Sequence, residues 1–229
     1  MDQRTYNQYC ATARTLDIVG ERWTLLLVRE LLTGPKRFGD LQSSLRGLGT
    51  GLLAARLKHL ESEGLIRKVM LPPPARTPAY ALTQAGAELG PAVLALARWG
   101  MKWAMGERRE NETFRAGWAV LGLRACFDAE AASGVRVVYE FRIADEVFYA
   151  QVDDGTIDTV LGAAQQPDAV IEMDDETLVE LAAGERTLAD AIRHEVVRVS
   201  GDTEAVGRLK ALFRLPRPES RYGQVSQEA

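Results

Sequence analysis

The chain has 229 residues, which suits two modest domains, and its hydrophobic fraction of 46% is ordinary for a globular protein. We expect neither a signal peptide nor a membrane span, and the two cysteines and two histidines form no disulfide framework and no metal-ligand cluster. The net charge of −4 is unevenly divided, because residues 1–106 carry 14 Lys and Arg against 8 Asp and Glu, whereas the remaining residues carry 14 against 24. A basic first half favours attraction to phosphates, so we expect a cytoplasmic protein that binds nucleic acid without a cofactor.

Apolar residues at helical spacing run from Leu16 to Leu31, where Gly34 and Pro35 end the pattern. A glycine at position 20 interrupts the run, which predicts two helices rather than one. Trp23 lies among leucines and valines and is therefore expected in the core rather than in a site.

Residues 37–63 predict two short helices joined by a glycine-containing turn. Thr50 is the predicted N-cap of the second helix, and Gly64 stands where its last turn should end. Such a pair leaves one face of the second helix free to enter a DNA major groove, although an ordinary helical hairpin with a solvated face shows the same pattern. The predicted buried residues of the two helices are Phe38, Leu41, Leu45, Leu53, Leu57 and Leu60.

Small and basic residues occupy the face of the second helix opposite its leucines, at about 100° per residue. Small side chains allow close approach to base edges, a methyl group can pack on thymine, and Lys58 can reach guanine or a phosphate. Arg56 lies on the flank, where a phosphate contact or an ion pair with a neighbouring helix is expected. The candidate DNA contacts in this region are Arg37, Thr50, Gly51, Ala54, Ala55, Arg56, Lys58 and His59.

Two predicted strands, at residues 65–71 and 79–82, flank a proline-rich loop and form the wing of a winged helix. Arg67 and Lys68 lie on the first strand, and Arg76 at the tip is the candidate for insertion into a minor groove. A solvated edge strand and a loop that binds nothing are the alternatives.

A long helix capped by Thr83 is predicted from Gln84 towards Met105, with an apolar stripe that exceeds what a small winged helix must cover. The additional apolar surface of this helix predicts a dimer interface, and packing against the second domain is the alternative. The stripe consists of Leu89, Val93, Leu96, Trp99 and Trp103.

The stretch from Cys10 to Trp99 resembles the HxlR-type bacterial transcription regulators, which are close to the MarR-type winged helices. The resemblance implies a homodimer that binds a two-fold-related operator in double-stranded DNA. It also makes Cys10 a candidate sensor of oxidants or electrophiles, since some relatives use a cysteine there; an inert cysteine is the alternative. The resemblance rests chiefly on Leu16–Gly20, Trp23–Leu27, Arg29–Leu31, Arg37–Leu41, Arg56–Leu57, Leu60–Glu61, Gly64–Leu65 and Leu82–Thr83.

The acidic half predicts a second, α+β domain after a polar linker at residues 106–112. Turn residues such as Asp145 and Asp153–Gly155 separate its strands. Predicted helices cover residues 113–127, 175–183, 187–193 and 203–213, and predicted strands cover residues 135–142, 147–152, 156–161, 169–173 and 196–200.

This half resembles the sterol-carrier-protein fold, through segments such as Pro167–Ile171, Leu181–Gly184 and Gly201–Asp202. The resemblance implies a layered α/β domain with an apolar cavity for a lipid-sized ligand, although some such domains only dimerise. The candidate residues of the inner surface are Val138, Phe141, Phe148, Val170, Leu178, Leu181, Ile192 and Phe213.

The predicted organisation is a winged-helix domain at residues 1–108, a sterol-carrier-like domain at 112–216 and a disordered tail at 217–229. Three functions fit this α+β chain: a dimeric regulator modulated by an apolar small molecule, a regulator that senses oxidants through Cys10, or an enzyme with a winged-helix appendage. The first is favoured and the second is the alternative, whereas the third is disfavoured because the sequence offers no catalytic set of residues and no metal ligands.

Overall fold

The computed structural model describes residues 5–105 and 115–215, together with residues 109 and 112. Contacts divide the chain into two compact units, Met1–Val93 and Leu94–Ala229. The predicted domain limits therefore stay a prediction, and the predicted tail at 217–229 lies outside the described residues. No helix in the described part of the chain is long and apolar enough to cross a membrane.

The first unit contains a helix-turn-helix followed by a two-stranded wing, as predicted. Strands β1 and β2 are antiparallel, with Lys68 opposite Tyr80. In chain order the elements are α1 (Ala11–Val19), α2 (Thr24–Leu31), α3 (Phe38–Ser44), α4 (Thr50–Ser62), β1 (Ile66–Met70), β2 (Pro78–Leu82), α5 (Gln84–Ala87) and α6 (Gly90–Trp103), the last of which continues into the second unit.

The core of the first unit is built from the leucines that the sequence pattern marks. Full burial of each such side chain stabilises the fold by roughly 1.5–3 kcal/mol, which fixes the rotation of α3 and α4 about their axes. Trp23 and Phe38 pack against this core, as predicted. Its buried members are Leu27, Leu31, Leu41, Leu45, Leu48, Leu53, Leu57, Leu60 and Ile66.

Two details of the helix ends differ from the prediction. Gly49, with φ −65° and ψ 150°, is the N-cap of α4, so Thr50 is already its first helical residue. The predicted long helix is broken into α5 and α6, because Pro91 has no backbone N–H and its ring clashes with the preceding turn. Thr83 does cap α5, since its Oγ1 accepts a hydrogen bond from the N–H of Gly86 at 3.2 Å.

The second unit is a five-stranded mixed sheet covered by helices, which confirms the predicted α+β fold. The strand order is β5-β4-β3-β6-β7, with β3 and β6 parallel and the other neighbours antiparallel. After a short 3-10 helix at Ala116–Trp118, the elements are α7 (Ala119–Cys126), β3 (Arg136–Ile143), β4 (Glu146–Asp153), β5 (Thr156–Leu161), β6 (Ala169–Met173), α8 (Asp175–Ala183), α9 (Leu188–Arg193), β7 (Arg198–Gly201) and α10 (Thr203–Leu212).

Alternate residues of β3 point to opposite faces of the sheet and so divide it into an apolar and a charged side. Tyr139 and Phe141 are buried in one core cluster with residues of α7, α8, α9 and α10. On the other face, the carboxylate of Glu140 accepts hydrogen bonds from Arg142 Nε and from the Ala164 N–H, each at 2.8 Å. Arg142 Nη1 also lies 2.8 Å from Glu172 Oε1. The buried carboxylate of Glu140 therefore belongs to a network of charged groups that includes Arg142 and Glu172.

Candidate nucleic-acid interface

Helix α4 presents a face of small and basic side chains to solvent. Leu53, Leu57 and Leu60 are buried on one side of the helix and leave the opposite side open. The exposed residues of that side include four candidate contacts, Gly51, Ala54, Ala55 and Lys58, together with Thr50 in the first turn. The surface is therefore free to receive another molecule.

Lys58 and Arg56 differ in whether their charges are already paired. Lys58 has no hydrogen-bond or ion-pair partner among the described residues. In contrast, Arg56 Nη2 lies 2.7 Å from Oε2 of Glu21, a residue between α1 and α2 rather than in a neighbouring helix. The Arg56 guanidinium is thus held against the body of the unit, while the Lys58 ammonium is available to a phosphate or a base.

The ring of His59 is turned towards α1 rather than straight outward. Its Nε2 lies 3.0 Å from the carbonyl oxygen of Ile18, and its Nδ1 lies 4.0 Å from a carboxylate oxygen of Glu63. Both ring nitrogens therefore face groups of the protein, and a contact between this side chain and DNA stays a prediction.

A short extended segment before α3 pairs with the wing. The sequence pattern did not predict this pairing. Lys36 and Tyr80 form an antiparallel bridge in which the Lys36 N–H donates to the Tyr80 carbonyl at 3.0 Å and the Tyr80 N–H donates back at 2.8 Å. This bridge ties the segment before α3 to β2 and places exposed Arg37, at the start of α3, next to the base of the wing.

Three predicted wing cations have different surroundings. Arg67 is exposed on β1 and has no ion-pair partner among the described residues. Lys68 Nζ lies 3.0 Å from Glu61 Oε2, and the hydrogen bond to Glu61 raises the pKa of the lysine. Arg76 is exposed in the loop, with a φ of +37° that few non-glycine residues adopt. Backbone bonds close the loop below it, including one from the Leu71 N–H to the Thr77 carbonyl at 3.0 Å.

The two cysteines occupy opposite environments. Cys10 is exposed at the N-cap of α1, where the backbone N–H groups of Ala13 and Thr12 lower the pKa of its thiol. Cys126 is buried at the end of α7, 3.8 Å from the sulfur of Met101, and burial raises the pKa of its thiol to about 11. The two thiols therefore differ in thiolate character as well as in access.

The eight predicted ligand-binding residues do not share one surface, so the prediction of a single inner surface is wrong. Val138 has the same parity in β3 as Glu140, and Val170 is paired with Glu140, so both valines lie on the face opposite Phe141. Ile192 is 38% exposed. The others lie in or against the apolar core: Phe141, Phe148, Leu178, Leu181 and Phe213.

The aromatic residues of this core pack on one another. The Phe141 and Phe148 rings are stacked with their centroids 5.1 Å apart, and Phe213 stands edge-on to Phe141 at 6.4 Å. Tyr139 joins them and donates its hydroxyl to the Ala205 carbonyl at 2.7 Å. Ligand binding by these residues stays a prediction.

An open groove of about 660 Å³ lies elsewhere in the second unit, beside the end of α7, and no sequence pattern predicts it. Arg98 donates its Nε–H to the Ala125 carbonyl at 2.7 Å, and Arg214 Nε lies 3.0 Å from Asp128 Oδ2. Its charged lining differs from the apolar cavity that the resemblance implies. The lining residues are Arg98, Lys102, Cys126, Phe127, Asp128, Ala129, Glu130, Arg214 and Leu215.

Comparison with known proteins identifies the first unit. Residues 18–108 match the model of the HxlR-like helix-turn-helix family. The HTH-type transcriptional regulator YvaP of Bacillus subtilis is 33% identical over 90 residues, which are 39% of this chain and 83% of the relative. The chain belongs to the HxlR-like family.

Two further proteins are similar to this chain. An HTH-type transcriptional regulator of a Synechocystis species is 33% identical over 94 residues, covering 41% of this chain and 70% of the relative. The solved structure of PA1607 is 34% identical, covers 48% of this chain and 73% of that chain, and has a TM-score of 0.40. The family model and the curated relatives show that the protein is a transcriptional regulator with a helix-turn-helix DNA-binding domain. Residues 18–108, which match the family model, include α4 and the wing but not Cys10.

The second unit of this HxlR-like regulator carries a domain of a different family. Residues 124–214 match the model of the SCP-2 sterol transfer family, which confirms the sterol-carrier resemblance. The match spans the mixed sheet and the helices α8, α9 and α10. Among the described residues, no group of His, Cys, Asp and Glu is arranged to hold a metal ion.

Proposed function

We propose that this HxlR-like regulator binds operator DNA by placing the exposed face of α4 in the major groove and Arg76 in a neighbouring minor groove. The observation that carries the proposal is the face of α4, where Ala55 and the unpaired Lys58 stand opposite three fully buried leucines. A helix fixed in rotation by its leucines can present only this face to DNA. We propose no enzymatic activity, and DNA as the partner makes the cytoplasm the expected location.

The test is to place a carboxylate on that face. We expect Ala55→Glu to weaken operator binding by roughly tenfold or more in a gel shift, because the new charge meets phosphates and base acceptors. Ala211→Glu, also at an exposed helical alanine, is the matched control and should bind as the wild type does. Wild-type affinity for Ala55→Glu would contradict the proposed orientation of α4.

We further propose that the protein is a homodimer in which α6 forms part of the interface. Leu96 and Trp99 are each 54% exposed and lie one turn apart on this helix. An exposed tryptophan beside an exposed leucine is a good anchor for an interface, and dimerisation would bring two copies of α4 to a two-fold-related operator.

Sedimentation measurements test the dimer. We expect Trp99→Glu to sediment as a monomer at concentrations where the wild type is a dimer, whereas Leu161→Glu, at an exposed position of β5, should remain dimeric. A dimer that withstands Trp99→Glu would place the interface elsewhere.

We propose that an apolar small molecule bound by the second unit modulates DNA binding. The support is the match of residues 124–214 to a sterol transfer family, together with the apolar core between the sheet and its helices. A ligand changes operator affinity only by its differential affinity for the two states, for which we expect about 1–3 kcal/mol of coupling. Titration with a fluorescent long-chain fatty acid, followed by operator anisotropy, tests this; binding without any change in operator affinity would refute modulation.

The alternative is redox sensing through Cys10, which the exposure and lowered pKa of this thiol favour. In that case a thiol oxidant releases the wild type from its operator, whereas Cys10→Ser binds DNA equally well with and without the oxidant. Release of Cys10→Ser by the oxidant would remove this alternative.

A further inference from the structure

We propose that this regulator identifies its operator chiefly through the methyl groups of thymines in the major groove, with Leu52 as a further specificity-determining residue. The proposal rests on the proposed function, namely that the exposed face of α4 enters the major groove. It assigns a chemical class to the recognised bases and brings in Leu52, which the sequence pattern did not mark as a DNA contact.

The first two turns of α4 contain few groups that can hydrogen-bond to a base edge. Residues 50–56 include no Asn, Gln, Asp, Glu or Lys. Arg56 is the one strong donor among them, and its Nη2 lies 2.7 Å from Glu21. The Thr50 hydroxyl is then the remaining side-chain polar group of this segment, and one hydroxyl distinguishes bases poorly.

The side chains that these two turns do expose are apolar. Leu52 is 42% exposed, and Ala54 and Ala55 are exposed as well. Guanine, cytosine and adenine present hydrogen-bonding groups in the major groove, whereas thymine also presents a methyl group. An apolar side chain therefore gains affinity from thymine and from no other base, at roughly fourfold for each methyl group that it buries.

Gly51 gives an independent reason to expect close approach to the bases. A Cβ atom built at this residue meets no heavy atom within 4 Å beyond its chain neighbours and the nearby backbone of α4, and its φ lies outside the left-handed region. Neither the fold nor the backbone conformation therefore requires glycine here, although glycine is a poor helix former. A second molecule that approaches the backbone closely, such as a duplex whose base edges contact α4, explains a glycine at this place.

Lys58 lies one to two turns further along the same exposed face and complements this mode of recognition. It can neutralise a phosphate or reach a guanine, but it is a single flexible cation. The expected operator half-site therefore has thymines under the N-terminal turns of α4 and at most one position at which a lysine selects guanine.

The experiment compares thymine with uracil, which pairs identically but lacks the methyl group. The full-length protein first selects duplexes from a random-sequence DNA library. Each thymine of a selected duplex is then replaced singly by uracil, and affinity is measured by anisotropy at constant salt. We expect one to three thymines in each half-site at which uracil lowers affinity about fourfold, and no effect of uracil at the remaining positions.

Two variants connect the methyl groups to named residues. Leu52→Ser should lose the preference for thymine over uracil at one position, while Val160→Ser, at a similarly exposed residue of β5, should keep every preference. Gly51→Ala should raise the midpoint of thermal unfolding and lower operator affinity at the same time. An affinity that rises or stays unchanged with Gly51→Ala would remove the argument from close approach.

The outcomes separate this proposal from the function on which it rests. If no duplex is selected, or if Ala55→Glu binds a selected duplex as the wild type does, the proposed placement of α4 fails and methyl recognition fails with it. If Ala55→Glu loses binding but uracil is tolerated at every position, α4 enters the groove and methyl recognition alone is overturned.

Discussion

Charged side chains serve different purposes in the two units of this regulator. On the proposed DNA-binding side of the first unit, Lys58, Arg67 and Arg76 are exposed and have no ion-pair partner among the described residues. In the second unit most of the described arginines pair with carboxylates of the same unit. These pairs are Arg109–Glu112, Arg136–Asp153, Arg142–Glu140, Arg142–Glu172, Arg186–Glu180, Arg193–Asp190, Arg208–Glu204 and Arg214–Asp128.

The comparison shows that total charge is a poor guide to function in this chain. The net charge of −4 disfavours binding to DNA, yet the acidic excess lies in residues 107–229 and not in the half that carries α4 and the wing. The attraction of a surface for phosphates depends mainly on its unpaired cations. A cation already paired with a carboxylate gains less free energy by binding a phosphate, because the existing pair is weakened. The two thiols repeat the contrast, since Cys10 is open to reagents and Cys126 is enclosed.

The largest expected effect concerns those thiols. At pH 8 a thiol with a pKa near that of Cys126, about 11, is a thiolate in only about one molecule in a thousand, whereas the lowered pKa of Cys10 keeps a much larger fraction ionised. We expect iodoacetamide to modify Cys10 more than a hundredfold faster, as measured by mass spectrometry of digested protein. Equal rates would show that the second unit opens readily, and Cys10→Ser serves as the control for site assignment.

The second prediction concerns stability and the charge network of Glu140, Arg142 and Glu172 in the second unit. Glu140→Ala leaves the Ala164 N–H without its acceptor and removes a partner of Arg142, so we expect the free energy of unfolding to fall by about 2 kcal/mol. Urea denaturation followed by circular dichroism measures the change. The control, Glu204→Ala, breaks an exposed pair with Arg208 and should change stability by less than about 0.5 kcal/mol. Equal losses for the two variants would contradict the distinction.

A third effect tests whether unpaired cations bind phosphates. We expect Lys58→Ala to weaken operator binding about fivefold to tenfold and to reduce the slope of log affinity against log salt by about one, as expected for the loss of one phosphate contact. Arg208→Ala removes a paired cation of the second unit and should leave the slope unchanged. A normal slope for Lys58→Ala, with weaker binding, would instead indicate a contact to a base.

The smallest expected effect concerns the wing. Arg76→Ala should lower affinity about threefold and change sequence preference mainly at A/T-rich flanks, because an arginine in a minor groove responds to groove width. Binding to a library with randomised flanks measures the preference. An unchanged flank profile would indicate that the wing stays outside the minor groove.

Much of the first unit could be predicted because its signals are local. The spacing of Leu53, Leu57 and Leu60 fixed both the extent and the rotation of α4, and Gly64, with φ +71°, ends it as expected. The ion pair of Arg56 with Glu21 and the contact of His59 with Ile18 join residues 35 and 41 positions apart, and no local pattern determines such partners.

The prediction of one inner surface in the second unit is wrong for a simple reason. Val138 and Phe141 are three positions apart in one strand, and residues an odd number of positions apart lie on opposite faces of the sheet. Both residues are apolar, which is why both are predicted to line the inner surface. The alternation of side chains along a strand allows only one of them to do so. The proline that divides α5 from α6 was likewise visible in the sequence, but the strong apolar stripe on either side of it outweighed that signal.

The bridge between Lys36 and Tyr80 bears on how new operator preferences can arise in such a regulator. Its two hydrogen bonds join backbone groups, so they persist when the side chains at either position change. They tie the segment before α3 to the strand that follows the wing loop. If α4 and the wing contact DNA as proposed, mutations that alter the bases they recognise can therefore accumulate while the backbone that holds these two elements keeps its geometry.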